Sequence, residues 1–123
     1  MARDFYRVVL VGCGRISERH FDAITDGSEL CLVGVCDAVD GRARAAGERY
    51  GVPAYTDYAA MLAGVEADVA VICTPSGLHP RHGIMAAERG LQVVCEKPMA
   101  TRLEEADALV RACDDARVQL FVV

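Results

Sequence analysis

A chain of 123 residues makes one domain, long enough to bury a hydrophobic core and too short for two. Its 13 basic and 18 acidic residues leave a net charge of −5 with no basic block, which excludes nucleic acid or an anionic membrane surface as an electrostatic partner. No apolar run approaches the roughly 18 residues of a membrane-spanning helix, and the first run is broken by Gly12 and Arg15 before it could act as a signal core. A cytoplasmic protein is expected.

Val8-Val9-Leu10-Val11 reads as a fully apolar strand, and Gly12-Cys13-Gly14-Arg15-Ile16-Ser17 as the glycine-rich turn joining it to a helix. Each residue type has a physical task there. Gly12 permits the tight turn and Gly14 has no side chain to obstruct a pyrophosphate. The helix opened by Arg15 and Ile16 directs free amides and its positive dipole end at that anion. The third fingerprint position is usually Gly or Ala, for close packing of helix on strand; here it is Ser17. Glycines after a strand also form plain turns, so this motif alone is weak. Along the helix, Ile16, His20, Ala23 and Ile24 share one stripe and Gly27 ends it. His20 is then a half-buried packing residue, not a catalyst.

Leu30–Cys36 reads as a second buried strand and is followed by Asp37. That is the distance downstream at which a carboxylate meets the adenosine ribose hydroxyls of a dinucleotide, although an Asp there also caps the next helix. The two features in register favour a dinucleotide. The charge of Asp37 would repel a 2′-phosphate, and Ala38, not Arg, follows it, so NAD is expected over NADP. Arg42 and Arg44, a turn or so further on, are read as solvated helix residues, with a phosphate clamp as the alternative.

A second helix is predicted over Gly41–Tyr50, closed by Gly51 and Pro53, then a short strand near Ala54–Thr56. Tyr58, Met61, Leu62 and Val65 form the stripe of a third helix. Val69–Cys73 and Gln92–Cys95 are the fourth and fifth strands, with Pro80 in the first turn of a helix that ends at Gly90. Thr101-Arg102-Leu103-Glu104 matches a capping box, and Ala106, Leu109, Val110 and Cys113 continue that helix's inner face. Leu120–Val123 is a sixth strand, and an ending in mid-strand on apolar residues is expected of a cut through a longer protein. Strands alternating with helices predict an α/β fold: a doubly wound parallel sheet in three α/β/α layers, of the Rossmann type, with residues 1–123 as the dinucleotide-binding domain.

The six cysteines, Cys13, Cys31, Cys36, Cys73, Cys95 and Cys113, contain no Cys-x-x-Cys pair and no His at ligand spacing, so neither a metal site nor a disulfide framework is expected. Cysteines in strands serve as small buried hydrophobes. Cys13 is the exception, because a glycine loop at a helix start could expose it and lower its pKa.

In open α/β sheets ligands bind beyond the carboxyl ends of the strands. There the fourth strand is followed by Thr74-Pro75-Ser76-Gly77-Leu78-His79 and the fifth by Glu96-Lys97-Pro98. Taken singly, the first is an ordinary strand exit and Lys97 a solvated lysine. Together with Gly12-x-Gly14, His20 and Asp37, they resemble the Gfo/Idh/MocA oxidoreductases, over essentially the whole chain, as that family's nucleotide-binding domain. Ser76 stands where the family commonly has Asn. Thr-Pro-Ser-Gly-Leu-His, Glu-Lys-Pro-Met-Ala and Leu-Phe-Val-Val resemble more narrowly the branch that oxidises UDP-N-acetyl-glucosaminuronic acid.

The resemblance implies NAD as cofactor and hydride transfer from a carbon of a sugar or sugar nucleotide. It implies Lys97 as the residue that assists proton movement at the substrate hydroxyl, its ammonium form disfavoured beside the positive nicotinamide. By the same resemblance, Glu96 contacts the nicotinamide ribose, Thr74, Pro75 and His79 line the cofactor's middle, and Ser76 touches it. It further implies a separate substrate domain that this chain lacks, homo-oligomers of the full-length protein, and an isolated domain that binds NAD without turnover. A non-catalytic nucleotide-sensing or binding module and a doubly wound domain for another nucleotide, such as CoA, are the alternatives.

Overall fold

The computed structural model describes residues 5–123. Six strands, β1 (Tyr6–Val11), β2 (Leu30–Cys36), β3 (Ala54–Tyr55), β4 (Val69–Ile72), β5 (Gln92–Cys95) and β6 (Leu120–Val122), form one sheet. All the strand pairs are parallel, in the order β3-β2-β1-β4-β5-β6. The helices are α1 (Ser17–Asp26), α2 (Asp40–Tyr50), α3 (Tyr58–Gly64), α4 (His79–Glu88) and α5 (Leu103–Ala116), with a single 3-10 turn at Ser76–Leu78 before α4. This is the doubly wound Rossmann arrangement, in which chain order reverses direction between β1 and β4 and opens a crevice at their carboxyl ends.

Alternation along β1 explains the two helical layers, since successive side chains of a strand point to opposite faces. Val8 and Leu10 join Phe21 and Ile24 of α1 and Ala46 of α2 on one face. Val9 and Val11 join Met61 and Leu62 of α3, Ala86 and Ala87 of α4, and Leu109 and Cys113 of α5 on the other. A strand covered on both sides reads as a continuous apolar run, which is why β1, β4 and β5 are visible in the sequence.

The strands and helices fall where the periodicity places them, with four corrections. The inner face of α1 is Ser17, Phe21 and Ile24, and Ile16 and Ala23 are exposed. The Phe21 ring sets that register by stacking on Tyr50 of α2, with centroids 4.4 Å apart. The capping box is out of register: α5 starts at Leu103, its N-cap is Arg102, and no side chain caps it. Glu104 lies instead in the first turn, where its charge meets the positive helix end. Val110 is 42% exposed and belongs to the outer side of α5. Cys31, on the rim of β2, is exposed, whereas Cys36, Cys73, Cys95 and Cys113 are the small buried residues expected.

Candidate functional site

At the crevice lies a cavity of about 820 Å³, and Gly12, Gly14, Arg15, Ile16, Asp37, Thr74 and Pro75 all line it. Its size suits a cofactor. Gly12 holds φ +94°, and a Cβ there would lie 2.5 Å from the carbonyl carbon of Cys73 and 2.6 Å from the amide of Thr74. The turn therefore runs directly over the exit of β4, a path closed to any side chain. At Gly14 a Cβ would meet nothing within 4 Å, so the missing side chain leaves room on the cavity side. The amides of Gly14, Arg15 and Ile16 donate to no acceptor among the described residues. Ser17, in the third fingerprint position, is buried, and its hydroxyl donates to the carbonyl of Gly14. The polar atom that departs from the fingerprint is thereby satisfied within the turn.

Asp37 is 7% exposed. Its Oδ2 accepts from the amide of Cys13 at 2.8 Å and its Oδ1 from the amide of Val39 at 2.8 Å. It is thus both the cap-like anchor of the β2 exit and a wall of the same cavity as Gly14. Each carboxylate oxygen keeps a further lone pair, so the two readings of Asp37 are compatible. Cys13 corrects an expectation. The thiol donates to the Cys36 carbonyl at 3.4 Å. Its pKa is pushed up to about 12 by burial and then by the charge of Asp37. Burial, with the neighbouring carboxylate second, holds the thiol protonated.

The other end of the crevice is made of side chains. Thr74 Oγ1 lies 3.0 Å from His82 Nδ1. The His82 ring meets Tyr58 edge-on at 4.7 Å, and the Tyr58 hydroxyl donates to the His82 carbonyl at 2.9 Å. Burial, then the charge of Arg81 and then that of His79, lowers the His82 pKa. His79, expected to line the cofactor's middle, is only 2% exposed. Its Nδ1 is 2.8 Å from the carbonyl of Pro98 and its Nε2 is 2.6 Å from the carbonyl of Thr74. The ring has no nitrogen left to face a ligand; it ties the β4 exit to the β5 exit.

Glu96 follows β5, its amide bonded to the Ile72 carbonyl of β4 at 3.2 Å. Its Oε1 accepts from His20 Nε2 of α1 at 2.8 Å. Lys97 is exposed and its peptide bond to Pro98 is cis. Ser76 is half-buried at the start of the 3-10 turn. Ser76, His79, Glu96 and Lys97 lie outside the lining of the 820 Å³ cavity, so the structure joins the glycine turn, Asp37 and Thr74-Pro75 in one concavity and sets the Glu96-Lys97-Pro98 loop beside it.

Sequence reasoning missed the ties between His20 and Glu96 and between Thr74 and His82. Nothing in local periodicity signals them. Arg42, expected to be solvated, is exposed and also lines the cavity together with Val39, Asp57 and Leu78. Among the described residues no group of three or more His, Cys, Asp and Glu side chains could hold a metal ion, and no helix is long and apolar enough to cross a membrane.

Comparison with known proteins places this geometry. Residues 6–123 match the family model described as Gfo/Idh/MocA oxidoreductase family, NAD-binding Rossmann fold. The chain is 38% identical to a D-apiose dehydrogenase of Paraburkholderia graminis over 118 residues, 95% of this chain and 32% of that protein. It is 38% identical to the D-glucoside 3-dehydrogenase of Escherichia coli over 113 residues, 90% of this chain and 31% of that protein. Among solved structures, the WlbA dehydrogenase from Bordetella pertussis in complex with NADH and UDP-GlcNAcA superposes with a TM-score of 0.94 at 47% identity, covering 97% of this chain and 37% of that one. The chain thus spans about a third of the length of these relatives.

Proposed function

The chain belongs to the Gfo/Idh/MocA oxidoreductase family, of which it is an NAD-binding Rossmann domain, and on that premise we propose that it serves an NAD-dependent dehydrogenase of sugars or sugar nucleotides. The observation that carries the proposal is the shared cavity of Gly14 and Asp37, one with unpartnered amides and the other with a carboxylate at the end of β2. The fit can be judged at Gly14, where a side chain would occupy open space beside those amides. Gly12, Gly14, Arg15 and Ile16 would hold the pyrophosphate. Asp37 would hold the adenosine ribose and disfavour a 2′-phosphate, and Thr74, Pro75 and Glu96 would hold the rest. Bound NAD would accept the hydride from the substrate carbon.

Lys97, exposed after β5, is the residue proposed to take the proton of the hydroxyl being oxidised, with its backbone fixed through the Pro98 carbonyl that His79 holds. A UDP-linked uronic acid is the proposed substrate, from the 47% identity to WlbA. We further propose a cytoplasmic protein, since all six cysteines are unpaired as in a reducing compartment, and a full-length homo-oligomer with a separate substrate domain.

Titration of the chain with NADH, followed by thermal unfolding, tests the cofactor. At about 100 times its dissociation constant NADH should stabilise the fold by roughly 2.7 kcal/mol, and a shift with CoA but none with NADH would end the dehydrogenase reading. The catalytic part is tested in a chimera in which this domain replaces the matching third of WlbA. Lys97→Met there should abolish NAD+-dependent oxidation of UDP-GlcNAcA while sparing NADH affinity, and unchanged turnover would return the domain to a binding module.

A further inference from the structure

We propose that His20 is a positioning residue that fixes Glu96 in advance for the ribose next to the reactive ring, an inference that rests on NAD occupying the crevice. His20 sits one turn into α1, the helix opened by the glycine turn, and Glu96 sits at the exit of β5, 76 residues away. The contact is 2.8 Å, and the two side chains are only 15% and 14% exposed. It is not needed to dock α1, which Phe21 and Ile24 already anchor in the core and Glu18 ties to Arg49.

Its geometry points to a ligand. His20 engages Oε1 alone, so Oε2 of Glu96 has no donor among the described residues and remains able to accept from hydroxyls. The Glu96 amide is pinned to Ile72 of β4, which fixes the backbone while His20 fixes the rotamer. A free glutamate would lose rotamer freedom each time it gripped a ligand, and a braced one has lost it already, so affinity rises without a new contact. The same bond makes the helix that faces the phosphates and the loop that carries Lys97 parts of one unit.

The test is affinity for three ligands of graded length in the 123-residue chain. ADP has only the adenosine half and the diphosphate, ADP-ribose adds the second ribose, and NADH adds the ring. His20→Leu should weaken NADH and ADP-ribose about tenfold and leave ADP within about twofold. His20→Gln, which can place an amide N–H near the position of Nε2, should restore the affinity for both. Glu96→Gln should repeat the His20→Leu pattern, and the double variant should be no weaker than either single one, since the two residues act on one bond. Equal losses for all three ligands, additive losses in the double variant, or unchanged NADH affinity in both single variants would overturn the proposal. If His20→Leu fails to fold, His20→Ala, which also removes the donor, takes its place with the same expected and overturning results. Absence of any NADH binding by the unaltered chain would overturn the proposed cofactor along with it, a result distinct from selective ADP binding in the variants.

Discussion

The glycine turn and the end of β2 present backbone groups to the crevice, whereas the ends of β4 and β5 present side chains locked to one another across 8 to 76 residues of chain. At the first end the side chains bind backbone: Asp37 accepts from the amides of Cys13 and Val39, and the Ser17 hydroxyl and Cys13 thiol donate to the carbonyls of Gly14 and Cys36. At the second, His20 holds Glu96 and His82 meets Thr74, while His79 spans two strand exits. A site made of amides is set by chain conformation and tolerates no change of path. A site made of side chains can be retuned residue by residue, which suits the end where substrates would differ.

The largest effect should come from breaking the backbone-built end. Gly12→Ala combines φ +94° with a Cβ 2.5 Å from the Cys73 backbone at the exit of β4, atoms that cannot swing away. It should cost at least ~3 kcal/mol in urea unfolding. Gly14→Ala is the counterpart, because its Cβ meets nothing within 4 Å. Stability should stay within ~0.5 kcal/mol, while NADH affinity falls at least tenfold, or ~1.4 kcal/mol. A Gly12→Ala chain as stable as the original would mean that the turn is not locked by its path. A Gly14→Ala chain that binds NADH normally would mean that the open space is not where phosphates pass.

Asp37→Ala comes next, since it removes the acceptor of two amides at 2.8 Å. About 2 kcal/mol of stability should be lost, and the preference for NADH over NADPH should narrow as the negative charge disappears. Retained discrimination with lost stability would make Asp37 purely an anchor and assign cofactor choice to another group, of which Arg42 on the same cavity is the first to examine.

The same division explains what was legible in the sequence. β1, β2, β4 and β5 could be read because strands buried on both faces are continuous apolar runs, and Gly12, Gly14 and Asp37 because a phosphate cradle needs glycines and a carboxylate at fixed spacing. The α1 register was misread because Ile16 looks like a core residue until Phe21 stacks on Tyr50, a contact between helices. His20 was read as a packing histidine because its partner Glu96 is 76 residues away. His79 was read as a cofactor contact because its motif position gives no hint that both nitrogens meet carbonyls.

A smaller effect is expected at the side-chain end on acidification. Burial lowers the His82 pKa from its ordinary 6.5, assisted by Arg81 and His79. The unfolded chain then binds more protons than the folded one below that value, so stability rises with pH through this range and is lost as pH falls. His82→Gln keeps an acceptor for Thr74 and cannot titrate. Between about pH 7.5 and about pH 5.5 its melting temperature should therefore fall less than that of the original chain. Parallel curves would show that the ring is not protected from protons.

The smallest effect concerns the one thiol set between the two glycines. If Cys13 were reactive, alkylation would place a bulky group in the turn and abolish NADH binding. Its pKa of about 12, set by burial and Asp37, leaves about one thiolate in ten thousand at pH 8, and Cys73 at the exit of β4 is also near 12. Cys31 is exposed on β2, outside the lining of the cavity. Iodoacetamide at pH 8 should therefore modify Cys31 and leave NADH affinity unchanged, as read by mass spectrometry and calorimetry on one sample. Modification of Cys13 with loss of binding would show that the backbone-built end opens to solvent more than its hydrogen bonds to Asp37 and Cys36 allow, and the contrast between a locked turn and a tunable edge would fail at its firmest point.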